Sequence, residues 1–272
     1  MEWWQAFILG LVQGLTEFLP VSSSGHLMIF KEILGADAEG FLDFTVTVHL
    51  ATVIATIVVF WSAIWQLLKG FFQFKYNDAT DYVCKILVSL IPVALVGFLL
   101  KDQVDALFGG ELWQVGVGLC ITASLLIFSD NAGFRFRVPK PRDTRNGLSY
   151  WQAFVVGLAQ AFAVVPGVSR SGSTIATGLL TGVKRENMAQ FSFLMVLIPI
   201  IGEQSLDLLK MASGGASFGV GVGVLPLVLG FISAFLSGLF ACKVMIAIVK
   251  KAKLTWFAVY CLVVAVLIFL LA

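Results

Sequence analysis

The feature that most constrains the fold of this chain is a segment that occurs twice. Residues 4–25 read WQAFILGLVQGLTEFLPVSSSG, and residues 151–172 read WQAFVVGLAQAFAVVPGVSRSG. Eleven of the twenty-two positions are identical without a gap, so we interpret the two halves of the chain as copies of one unit. The copies differ in charge, because Glu17 lies only in the first and Arg170 only in the second.

The composition is that of a membrane protein. With 59% hydrophobic and 12% charged residues, the chain lacks the polar surface that a soluble domain needs. A net charge of +2 gives no basis for binding nucleic acid. The sequence therefore predicts an all-α polytopic membrane protein that is surrounded by membrane lipids.

Six stretches are long enough to span a bilayer, whose core of about 30 Å needs about 20 apolar residues in a helix. They are about 43–68, 82–100, 112–128, 188–209, 220–249 and 254–272. The repeated segments are shorter, because Pro20 and Pro166 interrupt them. Irregular backbone at membrane depth must be buried in protein or line a wet cavity. We therefore predict two re-entrant helical hairpins, at about 3–35 and about 151–183.

The predicted organisation is one integral membrane domain with two repeats, 1–128 and 151–272, joined by a basic cytoplasmic linker at 129–150. Three spans separate the hairpins, and this odd number inverts the second copy, as in many transporter folds. In this topology, fourteen Lys and Arg residues fall on the same side of the membrane as the linker, and three fall on the opposite side. This asymmetry predicts an N-terminus outside the cytoplasm.

Gln13 and Glu17 are the first candidate site residues, because residues four apart lie on one face of a helix. An ionisable group inside a membrane is a functional-site hypothesis by default. Two structural alternatives stay open. Glu17 could hydrogen-bond the loop of the second repeat, and Gln13 could tie the hairpins together through its repeat equivalent Gln160.

The serine-rich turns of both repeats are a candidate anion site. Serines before a helix are common N-caps, and a helix N-terminus also favours phosphate. Arg170 adds a cation with a planar fork for oxyanions, although it could instead form a salt bridge to Glu17. The predicted phosphate-binding set comprises Ser22, Ser24, Ser169, Arg170, Ser171, Ser173 and Thr174.

The two histidines receive different interpretations. His26 follows the first serine turn directly, and this turn together with Arg170 favours a functional role over a hydrogen-bonded core position. His49 lies on the first predicted full span without comparable neighbours in the sequence. We interpret His49 as a structural residue.

The segments QGLTEFLPVSSSGH, from Gln13 to His26, and PGVSRSGST, from Pro166 to Thr174, resemble the undecaprenyl-diphosphate phosphatase family, the membrane enzymes associated with bacitracin resistance. This resemblance implies hydrolysis of undecaprenyl diphosphate, a polyprenyl diphosphate lipid, to undecaprenyl phosphate and phosphate, which recycles the lipid carrier of cell-wall synthesis. It also implies a divalent cation, Mg²⁺ or Ca²⁺, and a site in the bacterial cytoplasmic (inner) membrane that opens toward the periplasm. The chain departs from the family where it carries Gln13, since members often have Glu there.

Under this resemblance, Arg170 is expected to hold phosphate, and Glu17 to act as a base or, with Gln13, as a cation ligand. Ser23 is the candidate nucleophile, while His26 is an acid/base group or itself the nucleophile. Attack by a water that Glu17 activates is an open competitor. The rival function is an inverted-repeat transporter or lipid flippase. The oligomeric state is left open, with a homodimer as one candidate.

Overall fold

The computed structural model describes residues 1–36, 40–100, 103, 111–131, 145–213, 221–251 and 253–271. Within these ranges the regular structure is helical without any strand, which confirms the all-α prediction. The α-helices are α1 (Trp3–Phe18), α2 (Ser23–Leu34), α3 (Phe41–Val59), α4 (Trp61–Phe71), α5 (Asp78–Leu99), α6 (Leu112–Asp130), α7 (Tyr150–Phe162), α8 (Arg170–Leu180), α9 (Arg185–Ser213), α10 (Val224–Lys251) and α11 (Thr255–Leu271).

The chain is a multi-pass membrane protein. Helices α3, α5, α6 and α10 are each long and apolar enough to cross a bilayer, and α11 is a shorter apolar helix. Large apolar side chains remain exposed along these helices, as expected where the surrounding solvent is lipid.

Both repeated segments are interrupted by a turn. Helix α1 ends at Phe18 and α2 begins at Ser23, after a turn in which Ser22 has a φ of +69°, a value that residues other than glycine rarely adopt. Helix α7 ends at Phe162, and α8 begins at Arg170. Within each pair the two short helices pack against each other, α1 with α2 and α7 with α8.

The predicted span at 43–68 is wrong beyond Val59. Phe60, with φ −98° and ψ 12°, separates α3 from the short helix α4. Trp61 and Trp65 of α4 stack with ring centroids 6.2 Å apart, and more than half of each side chain is exposed. Tryptophan favours the membrane–water interface. Hydropathy therefore merged a spanning helix with an aromatic, amphipathic one.

Small residues allow α1 to approach α10 closely. A Cβ atom added to Gly14 would lie 2.0 Å from Ser237 Oγ and 2.4 Å from the carbonyl oxygen of Ala234. Close approach through glycine and serine is typical of helix pairs in membranes, where burial from water cannot drive association. Helix α1 therefore depends on a helix that lies more than 200 residues later in the chain.

A buried ion pair fastens the end of the predicted linker to α5. Asp81 and Lys85 are each 2% exposed and bond to each other across one helical turn. Lys85 also donates to the carbonyl oxygen of Arg145 at 2.8 Å, and Asn146 donates to Asp81 at 2.9 Å. Residues 132–144 of the linker lie outside the described residues.

We predict that Gly14→Ala lowers the apparent unfolding temperature of the detergent-solubilised protein. The added methyl group must push α1 away from α10, and overpacking of this kind typically costs about 1–3 kcal/mol. The measurement is the fraction that stays monodisperse on size exclusion after heating. Gly97→Ala on α5 is the matched control, since no atom lies within 4 Å of its added Cβ. Equal unfolding temperatures for the two variants would contradict the packing argument.

Candidate active site

The loops that interrupt the two repeated segments are in direct contact. Ser171 Oγ donates to the carbonyl oxygen of Leu19 at 3.1 Å. Thr122 of α6 supports the second loop, because its Oγ1 accepts the Ser169 N–H at 2.9 Å. Gly167 has a φ of +82°, and a Cβ there would lie 2.3 Å from the carbonyl oxygen of Val115. Protein groups therefore surround both breaks in the helices.

Glu17 is the centre of a hydrogen-bonded cluster. Its Oε2 accepts from Gln13 Nε2 at 2.8 Å and from Ser23 Oγ at 2.6 Å. Because an ionised carboxylate can only accept, both neighbours must be donors. The proton of the Ser23 hydroxyl is therefore directed at Glu17. This pairing resembles that of a nucleophile with its base.

Gln13 has an amide oxygen that needs a partner. Its side chain is fully buried, and Oε1 has no hydrogen-bond partner among the described residues. Leaving such a group unsatisfied costs about 1–3 kcal/mol. Gln13 bonds to Glu17 and not to Gln160, so the alternative in which two glutamines tie the hairpins together is wrong. Neither amide atom of buried Gln160 has a partner within the described ranges.

A small cavity places the charged residues of both repeats together. Glu17, Arg170 and Ser171 line it. In the part of the chain that the structure describes, the Arg170 guanidinium makes no ion pair within 4.0 Å, so the alternative salt bridge to Glu17 is not formed. The other polar lining residues are Thr52, Thr56 and Ser192, and the apolar ones are Phe18, Val53, Phe193, Val196, Leu197 and Ile200.

His49 lies beside this cluster, a neighbour that the sequence analysis did not identify, and its interpretation as a structural residue stays a prediction. Its Nδ1 is 2.8 Å from the carbonyl oxygen of Thr45, and its Nε2 is 4.0 Å from Glu17 Oε2. The sequence does contain a signal for this arrangement. Thr45, His49, Thr52 and Thr56 recur at helical spacing and form a polar stripe along the apolar helix α3.

His26 is held by two hydrogen bonds that lead away from Glu17. Its Nδ1 is 2.8 Å from the carbonyl oxygen of Ser22, and its Nε2 is 2.8 Å from Tyr260 Oη. A carbonyl only accepts, so Nδ1 carries the proton and Nε2 of the neutral ring accepts from Tyr260. No local pattern could reveal Tyr260, which is 234 positions from His26.

Most residues of the predicted phosphate-binding set have other contacts. Ser22 and Ser169 cap α2 and α8 by accepting the N–H groups of Gly25 at 3.4 Å and Gly172 at 3.0 Å. Other contacts join Ser24 Oγ to Ser22 Oγ at 3.5 Å and Thr174 Oγ1 to Ser192 Oγ at 2.6 Å. Ser173 Oγ is buried without a partner among the described residues. Arg170 and Ser171 are the members of the set that line the cavity. Phosphate binding by the whole set stays a prediction.

Comparison with known proteins shows similarity over nearly the whole chain. The model of the family described as "Bacitracin resistance protein BacA" matches residues 6–267. A Bacteroides fragilis protein named undecaprenyl-diphosphatase is 53% identical over 266 residues, which cover 98% of this chain and 97% of the relative. Proteins with the same name from Parabacteroides distasonis (52% identity, covering 96% and 95%) and Christiangramia forsetii (45%, covering 97% and 96%) are also similar. The chain therefore belongs to the bacitracin resistance protein BacA family.

Proposed function

We propose that this protein hydrolyses undecaprenyl diphosphate to undecaprenyl phosphate and phosphate, and so returns the lipid carrier to cell-wall synthesis. The name of its curated relatives supports this activity, and the family description links it to bacitracin resistance. The observation that carries the proposal is one cavity lined by Glu17, which accepts a hydrogen bond from Ser23, and by Arg170, whose guanidinium makes no ion pair among the described residues.

The lining of the cavity suits an amphipathic lipid diphosphate. Arg170 and Ser171 at the N-terminus of α8 would bind the diphosphate, since free N–H groups and a guanidinium both favour oxyanions. Phe18, Phe193 and Leu197 would contact the first part of the polyprenyl tail while the remainder stays in lipid. One chain supplies all of these groups, so the chemistry does not require a homodimer.

Ser23 is the nucleophile in this proposal. Its Oγ attacks the terminal phosphorus while Glu17 accepts its proton, and the bond from that phosphorus to the bridging oxygen breaks. Undecaprenyl phosphate leaves with the bonding electrons, and water then hydrolyses the phosphoserine to regenerate Ser23 and release phosphate. The distance of 2.6 Å between Ser23 Oγ and Glu17 Oε2 supports this assignment over direct attack by water.

Gln13 and Glu17 would hold the divalent cation, for which the resemblance implies Mg²⁺ or Ca²⁺. Gln13 Oε1, which is buried and has no partner among the residues that the structure describes, fits such a ligand, because a hard cation binds amide and carboxylate oxygens. When bound, the cation would neutralise charge on the phosphate oxygens. Arg170 performs the same neutralisation from the second repeat.

Tyr260 and His26 act as positioning residues. The His26 ring bonds to the Ser22 carbonyl, and Ser22 directly precedes the nucleophile in a backbone conformation that is unfavourable for serine. Tyr260 fixes the opposite nitrogen of the ring at 2.8 Å. Together they would stabilise the turn that presents Ser23 to Glu17.

The proposed architecture is an inverted repeat with six spans and two re-entrant hairpins. Its support is the offset of 147 residues, which relates α1, α2, α3, α5 and α6 to α7, α8, α9, α10 and α11. The pairing is reciprocal as well, since α1 packs on α10 and α7 on α5. The distribution of Lys and Arg supports an inner-membrane orientation with the N-terminus and the site toward the periplasm.

The direct test is phosphate release by purified protein in detergent, without any gradient. We expect cleavage of a long-chain polyprenyl diphosphate in preference to a short soluble one, with loss of activity in EDTA. Arg170→Ala should reduce the rate by about 10²-fold or more, as loss of a group that stabilises transition-state charge does. Arg145→Ala, which removes the same charge from an exposed position near Asp78, should keep the activity. A sample that moves lipid across liposomes but releases no phosphate would instead identify a flippase.

A rapid-quench experiment tests the nucleophile. With substrate labelled at the terminal phosphate, we expect a labelled peptide that contains Ser23 within the first turnover, because attack by Ser23 leaves a covalent phosphoserine. Ser23→Ala should give neither the label nor phosphate release. Turnover by Ser23→Ala near the wild-type rate would assign the attack to water.

We predict that Tyr260→Phe lowers kcat about tenfold with little change in KM, because it removes the hydrogen bond on His26 while keeping the ring that stacks on it. Phosphate release over a range of substrate concentrations separates the two constants. Tyr82→Phe is the matched control, since the buried Tyr82 hydroxyl has no partner in the described part of the chain. An unchanged kcat in Tyr260→Phe would remove Tyr260 from the positioning role.

A further inference from the structure

His49 has the orientation of a metal-ligating histidine. Its Nδ1 contacts the Thr45 carbonyl at 2.8 Å, and because a carbonyl only accepts, Nδ1 carries the proton. In the tautomer with its proton on Nδ1, the lone pair lies on Nε2, which faces Glu17. A histidine that binds a metal typically donates its other N–H to a carbonyl or carboxylate in this way.

The distance between His49 and Glu17 is compatible with a cation that bridges them. At 4.0 Å, Nε2 and Oε2 are too far apart for a hydrogen bond. Bonds from histidine nitrogen and carboxylate oxygen to a transition metal are about 2.1 Å long, so two ligand atoms of one ion can lie up to about 4.2 Å apart. The His49 side chain is 12% exposed and that of Glu17 is 9% exposed, so little bulk water competes for these atoms.

Gln13, the hydrogen-bond neighbour of Glu17, offers an amide oxygen to the site and changes its charge. Its Oε1 is buried without a partner among the described residues, and its Nε2 bonds to Glu17 Oε2 at 2.8 Å. Where family members often carry a second carboxylate, this chain has the neutral amide of Gln13, and Glu17 has the His49 imidazole as its other neighbour. Mg²⁺ and Ca²⁺ favour oxygen ligands, and carboxylates in particular, whereas imidazole suits transition metals.

We propose that Gln13 Oε1, the Glu17 carboxylate and His49 Nε2 form a mixed site that binds a divalent transition metal ion, such as Mn²⁺, more tightly than Mg²⁺ or Ca²⁺. This inference rests on the cation site of the proposed function and adds His49 as a ligand. It assigns the polar stripe of α3 a role, since Thr45 orients the imidazole at one end while Thr52 and Thr56 line the cavity beyond it.

The test measures metal binding directly on the full chain in detergent. Protein stripped with EDTA is titrated with Mn²⁺, and free Mn²⁺ is followed by its electron paramagnetic resonance signal, with Mg²⁺ as competitor. Pulsed measurements on bound Mn²⁺ then detect coupling to an imidazole nitrogen. The chain has two histidines in total, so His26→Gln is the matched control for His49→Gln.

We expect wild-type protein and His26→Gln to bind Mn²⁺ with imidazole coupling. His49→Gln should lose the coupling and bind Mn²⁺ about tenfold or more weakly, while Gln13→Glu should strengthen competition by Mg²⁺. Should His49→Gln fail to fold, coupling that persists in His26→Gln still assigns the nitrogen to His49.

Two results would overturn the proposal: bound Mn²⁺ without imidazole coupling in the wild type, or tighter binding of Mg²⁺ than of Mn²⁺. Neither result would contradict the proposed phosphatase activity, which is measured separately as phosphate release. Conversely, a protein that binds Mn²⁺ through His49 but releases no phosphate would support the metal site and refute the proposed function.

Discussion

The structure depends on how a membrane protein satisfies the backbone of an interrupted helix. Lipid offers no hydrogen bonds, so each break must be enclosed by protein or border a wet cavity. Here the two interrupted segments bond to each other, because Ser171 donates to the Leu19 carbonyl. Thr122 of α6 accepts the N–H of Ser169 and so satisfies a further backbone group. The same contact places Glu17 of one segment and Arg170 of the other on one cavity. Stability and chemistry thus have a common origin in this pair of loops.

The parts of the fold that could be predicted from sequence are those with a local cause. Proline and serine mark where α1 ends and α2 begins, and Ser169 caps α8 as its position suggests. Helical spacing alone placed Gln13 beside Glu17. Hydropathy identified the apolar helices but extended the first span beyond Phe60, because the Trp-rich sequence of α4 is nearly as hydrophobic as a membrane span.

The missed parts of the site depend on packing between distant segments. Thr174 lies one helical turn after Arg170, yet its Oγ1 contacts Ser192 of α9, and the sequence does not show that α9 packs there. Tyr260 reaches His26 because α11 packs near the first turn, which no local pattern encodes. His49 is a different case from Tyr260, because the polar stripe that His49 shares with Thr52 can be recognised in the sequence. Its neighbour Glu17 became apparent only from the packing of α3 beside α1.

The close packing of α1 on α10 has a consequence for biosynthesis. Ser237, against which Gly14 packs, is 223 positions further along the chain. At roughly 5–20 residues per second, the ribosome needs about 10–45 s to reach it. During that interval α1 carries the polar groups of Gln13 and Glu17 without its main packing partner. The nascent first half must therefore wait in the membrane or beside an insertion factor, and a pause or truncation before α10 would leave it exposed to quality-control proteolysis.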